Sequence, residues 1–203
     1  MKITSIKQQV KRPDRYSIYV DGSFAFGLGE TALLSSGLAS GQELDASQLA
    51  ALKDTATQDK VYGNALRYVA MRPRSEWELL SYMQRKKVDE PYIEQVMQKL
   101  RDLRLLDDRA FAESWVNSRR LLKATSKRKL RQELQQKRVA ERIIEQVLRA
   151  DQANERDVLL ELIAKKHSRY PDRAKFMQYL ARQGFGYDDI KSALGRFEAD
   201  FAE

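Results

Sequence analysis

The residues in this chain that could do chemistry are few, and each has a structural use as well. Asp107 and Asp108 stand side by side and could in principle hold Mg²⁺ for cleavage of a phosphodiester. They also immediately precede "RAFAESWV", a helical stretch, where Asp is a preferred N-cap and its charge suits the helix dipole. Capping is the better reading. The single histidine, His167 in "AKKHSRYPD", lies near a helix end, where a surface or capping role fits. No nucleophile–base–acid set can be assembled around it. "GLGE" at 27–30 lacks the third glycine and the strand–helix context of a dinucleotide fingerprint. No catalytic residue, metal site or cofactor is expected, and a metal-dependent nuclease is the weakest of the readings considered.

What the chain does hold is a surplus of cations in one place. The formal net charge is +8. Residues 109–153 carry twelve Lys/Arg against five Asp/Glu, whereas 1–57 balance at six against six, 58–108 at ten against nine, and 154–203 at nine against nine. Within the basic segment lie Arg119, Arg120, Lys123, Lys127, Arg128, Lys129, Arg131, Lys137 and Arg138, with Glu133 as the one acid among them. Such a patch suits phosphates, read without regard to base sequence. Lys127 and Arg131 are four apart on a helix, so like charges repel slightly. Replacing both should leave stability unchanged or raise it a little. The competing reading is a solvated face whose charge serves solubility. Trp77, in a first helical turn between two Glu residues, is a candidate partner contact, together with Lys86 and Lys87 in the turn that follows. Trp115 pairs with Phe111 at i,i+4 and reads as core.

The elements that would position these residues repeat. From Ser75, the first residue of the capping box "SEWE", apolar residues follow at Leu79, Met83, Val88, Ile93, Val96 and Met97. The same offsets from Ser126 give Leu130, Leu134, Val139, Ile144, Val147 and Leu148. From Asp172 they give Phe176, Leu180, Phe185, Ile190, Ala193 and Leu194. The first two positions are four apart on one stripe of a short helix, and the last three lie at i, i+3 and i+4 on a second. A turn separates them, and a further apolar helix precedes each cap. Each unit is three helices and about 45–50 residues, too little to bury a core alone, so neighbours must stack.

The expected fold class is mainly α. Three tandem three-helix repeats form an elongated, curved array behind a small N-terminal segment containing a β-hairpin. The boundaries read as 1–57 for that segment, 58–107 for repeat one, 108–153 for the basic repeat two and 154–203 for repeat three. In "RYSIYVDGSFAFGL", Tyr16, Ile18 and Val20 alternate, Asp21-Gly22 makes the turn, and Phe24, Phe26 and Leu28 continue. "KITSIKQQV" adds a third strand, "TALLSSGL" a short helix ended by Gly37, and a long helical stretch starts at a cap on Asp45 or Ser47. Cysteine is absent, mean hydropathy is −0.62, and no run reaches the ~20 apolar residues of a membrane helix. A cytoplasmic protein without disulfides is expected.

With the repeats laid out, the chain resembles the RecX family of bacterial recombination regulators. "SEWELLSYMQRKKVDEPYIEQVMQKLRDLRLLDDRAFAESWV" at 75–116 and "LARQGFGYDDIKSAL" at 180–194 carry the resemblance. It spans about 58–203, and a hairpin beginning occurs in some members. Family repeats often have Gly at the turn before the fourth apolar position. Here only Gly184 fits, while Lys87 and Arg138 stand at the other two places, which predicts turns of different shape. The resemblance implies a non-enzymatic negative modulator of RecA. Proteins similar to this one bind the RecA–single-stranded-DNA filament in its groove and lower ATPase, strand-exchange and co-protease activity. The implied partners are RecA and the RecA–ssDNA filament. Single- and double-stranded DNA would bind weakly and without sequence specificity, to a monomer with no membrane contact. The alternative is a general nucleic-acid-binding helical-repeat protein acting without RecA. An open array should give a radius of gyration in small-angle scattering above the roughly 2.2·N^0.38 Å of a compact domain. A value at that limit would count against it.

Overall fold

In the computed structural model, which describes residues 1–200, the alternation at 16–28 folds into the expected hairpin. Strands β1 (Ile3–Gln9), β2 (Arg12–Val20) and β3 (Ser23–Gly29) form one antiparallel sheet in that order. Asp21 and Gly22 both take left-handed φ, 49° and 83°, as a tight two-residue hairpin turn requires. Ile18 pairs with Phe26 but Tyr19 with Phe24, so Ala25 is bulged out of the ladder. One sheet face holds Ile3, Ile18, Val20, Phe26 and Leu28, closed over by Leu44 and Ala56.

Helix α1 (Glu30–Ser36) ends at left-handed Gly37. Helix α2 (Ala46–Ala70) starts at Asp45, whose carboxylate accepts from the Gln48 N–H at 2.7 Å while the Gln48 side chain accepts from the Asp45 N–H at 2.9 Å. It runs unbroken through residue 57, so one helix serves both the N-terminal segment and the first repeat. Arg15, buried, ties the sheet to it. Its guanidinium donates to Asp59 and to the Gly27 carbonyl, each at 2.8 Å, and Asp59 also accepts from the Gly29 N–H.

The remaining helices are α3 (Glu76–Arg85), α4 (Glu90–Asp102), α5 (Asp108–Lys123), α6 (Lys127–Gln136), α7 (Glu141–Ala150), α8 (Glu155–Lys166), α9 (Arg173–Arg182) and α10 (Tyr187–Asp200), with a 3-10 turn at His167–Arg169. By contacts the chain falls into two units. One holds Met1–Arg72 and Leu79–Leu105, and the other holds Pro73–Glu78 and the chain from Leu106 onward. In the first, Tyr68 stacks on Tyr82 at 4.2 Å, and Lys99 lies 4.0 Å from the Tyr62 ring. In the second, α5–α7 close on Phe111, Leu130, Leu134 and Ile144, and α8–α10 close on Leu159, Ile163, Phe176 and Leu180. Residues 201–203 of the third repeat lie outside the described residues.

All six apolar positions of each repeat are buried, except Val88, which is half-buried. The caps are as read: Ser75 Oγ accepts from the Glu78 N–H, Ser126 Oγ from Lys129 and the Asp172 carboxylate from Lys175. The expectation that Lys87 and Arg138 shape their turns differently from Gly184 is not met. All three are left-handed, at φ 54°, 57° and 93°. Each turn closes with the same two bonds: Val88 to the Met83 carbonyl and Lys87 to Gln84, Val139 to Leu134 and Arg138 to Gln135, Phe185 to Leu180 and Gly184 to Ala181. Satisfied carbonyls and the apolar residue that follows offset the ~1–2 kcal/mol a left-handed side chain costs. Glycine is required only at 184, where a Cβ would collide with Ser126 Oγ and lie 3.0 Å from the Lys129 nitrogen.

The second unit also shows how one repeat is fastened to the next. Asp108, in the first turn of α5, accepts from the Glu76 N–H at the start of α3, at 2.8 Å. Glu155, in the first turn of α8, accepts from the Lys127 N–H at the start of α6, at 3.0 and 3.1 Å. Helix-start amides have no intrahelical partner, so each incoming repeat satisfies an amide of the one before. Leu130→Ala and Leu134→Ala should each cost about 2–5 kcal/mol in denaturant unfolding, against less than about 0.5 for the exposed Gln132→Ala. A surface-sized loss at either leucine would mean the buried face of α6 is wrongly assigned.

Candidate nucleic-acid interface

The basic segment is presented by the C-terminal half of α5, by α6 and by the turn into α7. Five of its cations are committed within the protein. Arg119 donates to Glu133 at 2.6 Å and lies 4.3 Å from the Trp115 ring. The Trp115 indole N–H donates to the same carboxylate at 2.8 Å. Trp115 is therefore half-buried beneath a cation rather than plain core, while Phe111 beside it is core. Arg120, with 14% of its side chain exposed, bonds Asp151 at 2.5 and 3.1 Å, Glu155 at 3.1 Å and the Thr125 carbonyl. Lys127 Nζ donates to the Asp151 carbonyl at 2.8 Å. Lys137 donates to Glu78 at 2.7 Å, and Arg131 is held by Glu141 with Glu145 at 4.0 Å.

This corrects the reading of Lys127 and Arg131 as a repelling pair. Each has its own oxygen partners, so replacing both removes intramolecular bonds and lowers stability.

Lys123, Arg128, Lys129 and Arg138 have no such partner among the described residues. Lys123, Arg128 and Arg138 are exposed and Lys129 half-buried. Arg128 faces a shallow groove of about 440 Å³ between α6 and α7, lined by Lys127, Arg128, Arg131, Glu145, Leu148 and Arg149. Exposed Arg149 was missed in the sequence because it lies on α7, eleven positions beyond the end of the basic run. The signal was available: Arg149 is adjacent to core residue Leu148 and four past Glu145, which puts it at the rim of the α6–α7 seam. Such a groove offers guanidinium donors to phosphates or carboxylates.

In the first repeat, Trp77 is 41% exposed, and Lys86 and Lys87 are exposed at the turn. Asp107 and Asp108 do not converge on an ion. The Asp107 carboxylate caps α5, accepting from the N–H groups of Arg109 at 2.8 Å and Ala110 at 3.0 Å, and Asp108 turns to Glu76. No group of three or more His, Cys, Asp or Glu among the described residues is placed to hold a metal. His167 packs against Phe176 and Phe197, at 6.0 and 5.1 Å. No helix among the described residues is long and apolar enough to cross a membrane.

Four family descriptions match the chain in order: the regulatory protein RecX N-terminal domain over 1–45 and the first, second and third three-helix domains of RecX over 62–100, 107–148 and 154–194. The regulatory protein RecX of Halalkalibacterium halodurans is 36% identical over 150 residues, covering 72% of this chain and 56% of its own length. The chain thus aligns with little over half of that relative. The regulatory protein RecX of Limosilactobacillus reuteri is 32% identical over 203 residues, covering 95% of this chain and 76% of its own. Among solved structures, a crystal structure of regulatory protein RecX superposes with a TM-score of 0.69 at 31% identity, covering 96% of this chain and 98% of that one. RecX from Lactobacillus salivarius gives 0.59 at 25% identity, covering 70% and 97%.

The division of the cations is open to measurement. Arg120→Ala should cost about 3–5 kcal/mol, because it strands two carboxylates that the arginine neutralises. Arg128→Ala should stay within about 0.5 kcal/mol. Equal costs in denaturant unfolding would mean that the two arginines are not distinguished as described.

Proposed function

This chain belongs to the RecX family of regulatory proteins, and from that premise we propose that it is a negative modulator of RecA, acting by binding and not by catalysis. It binds RecA or the RecA–ssDNA filament in its groove, as a cytoplasmic monomer, and lowers ATPase, strand-exchange and co-protease activity. The contact segment is the second repeat, 108–153, flanked by repeats at 58–107 and 154–203. Free single- and double-stranded DNA bind weakly and without sequence preference.

One observation supports this most. Among the described residues, the side chains of Lys123, Arg128, Lys129, Arg138 and Arg149 make no ion pair or hydrogen bond, while Glu133, Asp151 and Glu141 each hold another cation. Cations with no internal partner contribute to binding a polyanion at little cost to the fold. The committed cations, Arg119, Arg120, Lys127, Arg131 and Lys137, are held by bonds within the protein, and Trp77 and, separately, Lys86 and Lys87 add further contacts.

The test is a salt titration of binding to RecA–ssDNA filaments and to bare oligonucleotide, for wild type and for Arg128→Ala with Arg149→Ala. RecA ATPase is read on the same samples. The double variant should keep its melting temperature and weaken binding. Its log–log salt slope should be shallower by about 0.7 per lost phosphate contact, and its inhibition should fall in parallel. An unchanged slope with full inhibition would make the patch a solvated surface. ATPase affected only at concentrations that coat free DNA would favour a nucleic-acid-binding protein that acts without RecA.

A further inference from the structure

The N-terminal sheet has a second face. Ile18, Phe26 and Leu28 point into the core. The opposite face carries Lys7 paired with Ser17, Ser17 paired with Gly27, and Ser5, Tyr19 and Phe24 in the neighbouring row. Phe24 is 60% exposed, although burial of an aromatic ring is favourable. Tyr19 meets it edge to face, with centroids 6.0 Å apart and planes at 79°. Lys7 Nζ stands 5.3 Å over the Tyr19 ring. The residues beside the rings are small or polar, Phe24 is exposed and Tyr19 is half-buried. Asp21, the acid nearest the turn, accepts from the Lys2 N–H at 2.8 Å. The Ala25 bulge is what puts Phe24 opposite Tyr19, and a regular ladder would have placed Ala25 there.

We propose that this face is a stacking platform for the bases of a single strand, with Phe24 and Tyr19 taking one or two bases and Lys7 an adjacent phosphate. Two rings and one cation are too little apolar area to seat a protein, whose interfaces bury about 800 Å² on each partner. They match what one or two bases require, a flat π-face and a nearby positive charge. This does not rest on the RecA reading, since it concerns bare strand in the absence of RecA. It also differs in kind from the α6–α7 groove, which would contact phosphates and ignore the bases.

The experiment measures full-length protein binding to an oligo(dT) strand and to an abasic strand of equal length and charge. Phe24→Ala should weaken oligo(dT) binding about 5- to 150-fold and leave abasic binding unchanged. Phe24→Trp should restore oligo(dT) binding, which also shows that the loss is not one of folding. Equal effects on both strands, or none on either, would overturn the platform. So would unchanged oligo(dT) binding with loss of RecA inhibition, which would give the rings to a protein contact. Phosphate-directed variants at Arg128 and Arg149 should weaken both strands alike, so failure of one surface is read separately from failure of the other.

Discussion

Two backbone amides, those of Glu76 and Lys127, open helices whose own geometry gives them no acceptor, and in both cases the next repeat provides a carboxylate. The repeated architecture depends on this contact. It is charge-assisted, it lies at the positive end of a helix, and it sits beside the cap serines Ser75 and Ser126, which are fully buried. Around it the two junctions differ. At the first, Lys137 reaches Glu78 of the capping box. At the second, the Gly184 turn settles so close to Ser126 that the Ser hydroxyl donates to the Gln183 carbonyl at 2.6 Å.

The same contact decides what the basic segment can do. Glu155 is held by Arg120 as well as by the Lys127 amide, and Arg120 also holds Asp151. Glu155, at the start of repeat three, therefore takes charge from repeat two. A cation in this segment is held by an oxygen of its own repeat, as Arg119, Lys127 and Arg131 are, or by one of a neighbouring repeat, as Arg120 and Lys137 are, or makes no such bond among the described residues. The net +7 of the segment already subtracts the acids inside it, but not Glu78 and Glu155, which bind Lys137 and Arg120 from outside.

The periodic part of the fold was legible in the sequence. Cap, stripe and turn recur at fixed offsets because each repeat solves the same burial problem, and local rules suffice to read them. The hairpin was legible for the same reason, through its Asp-Gly turn and alternation. The site was legible only in part. That Arg119 is drawn to Glu133 and Trp115, or Arg120 to Asp151 and Glu155, depends on contacts between residues 14 to 35 apart, which no local pattern encodes. Arg149 joins the groove across a helix pair, and Lys87 and Arg138 adopt the glycine conformation because the turn bonds outweigh their strain. Asp107 and Asp108 showed the reverse case. Sequence offered a cation site or a cap, and the geometry gave two caps on two different helices.

The proposed function sets the exposed cations of α6 and α7 against the filament. Cryo-electron microscopy of RecA–ssDNA filaments decorated with this protein tests it most directly. Arg128 and Arg149 should lie against phosphates or acidic RecA side chains in the groove, with Arg120 still bound to Asp151 and Glu155. A decorated filament in which α6 and α7 face bulk solvent, or in which Arg120 has left its carboxylates to reach the DNA, would contradict it.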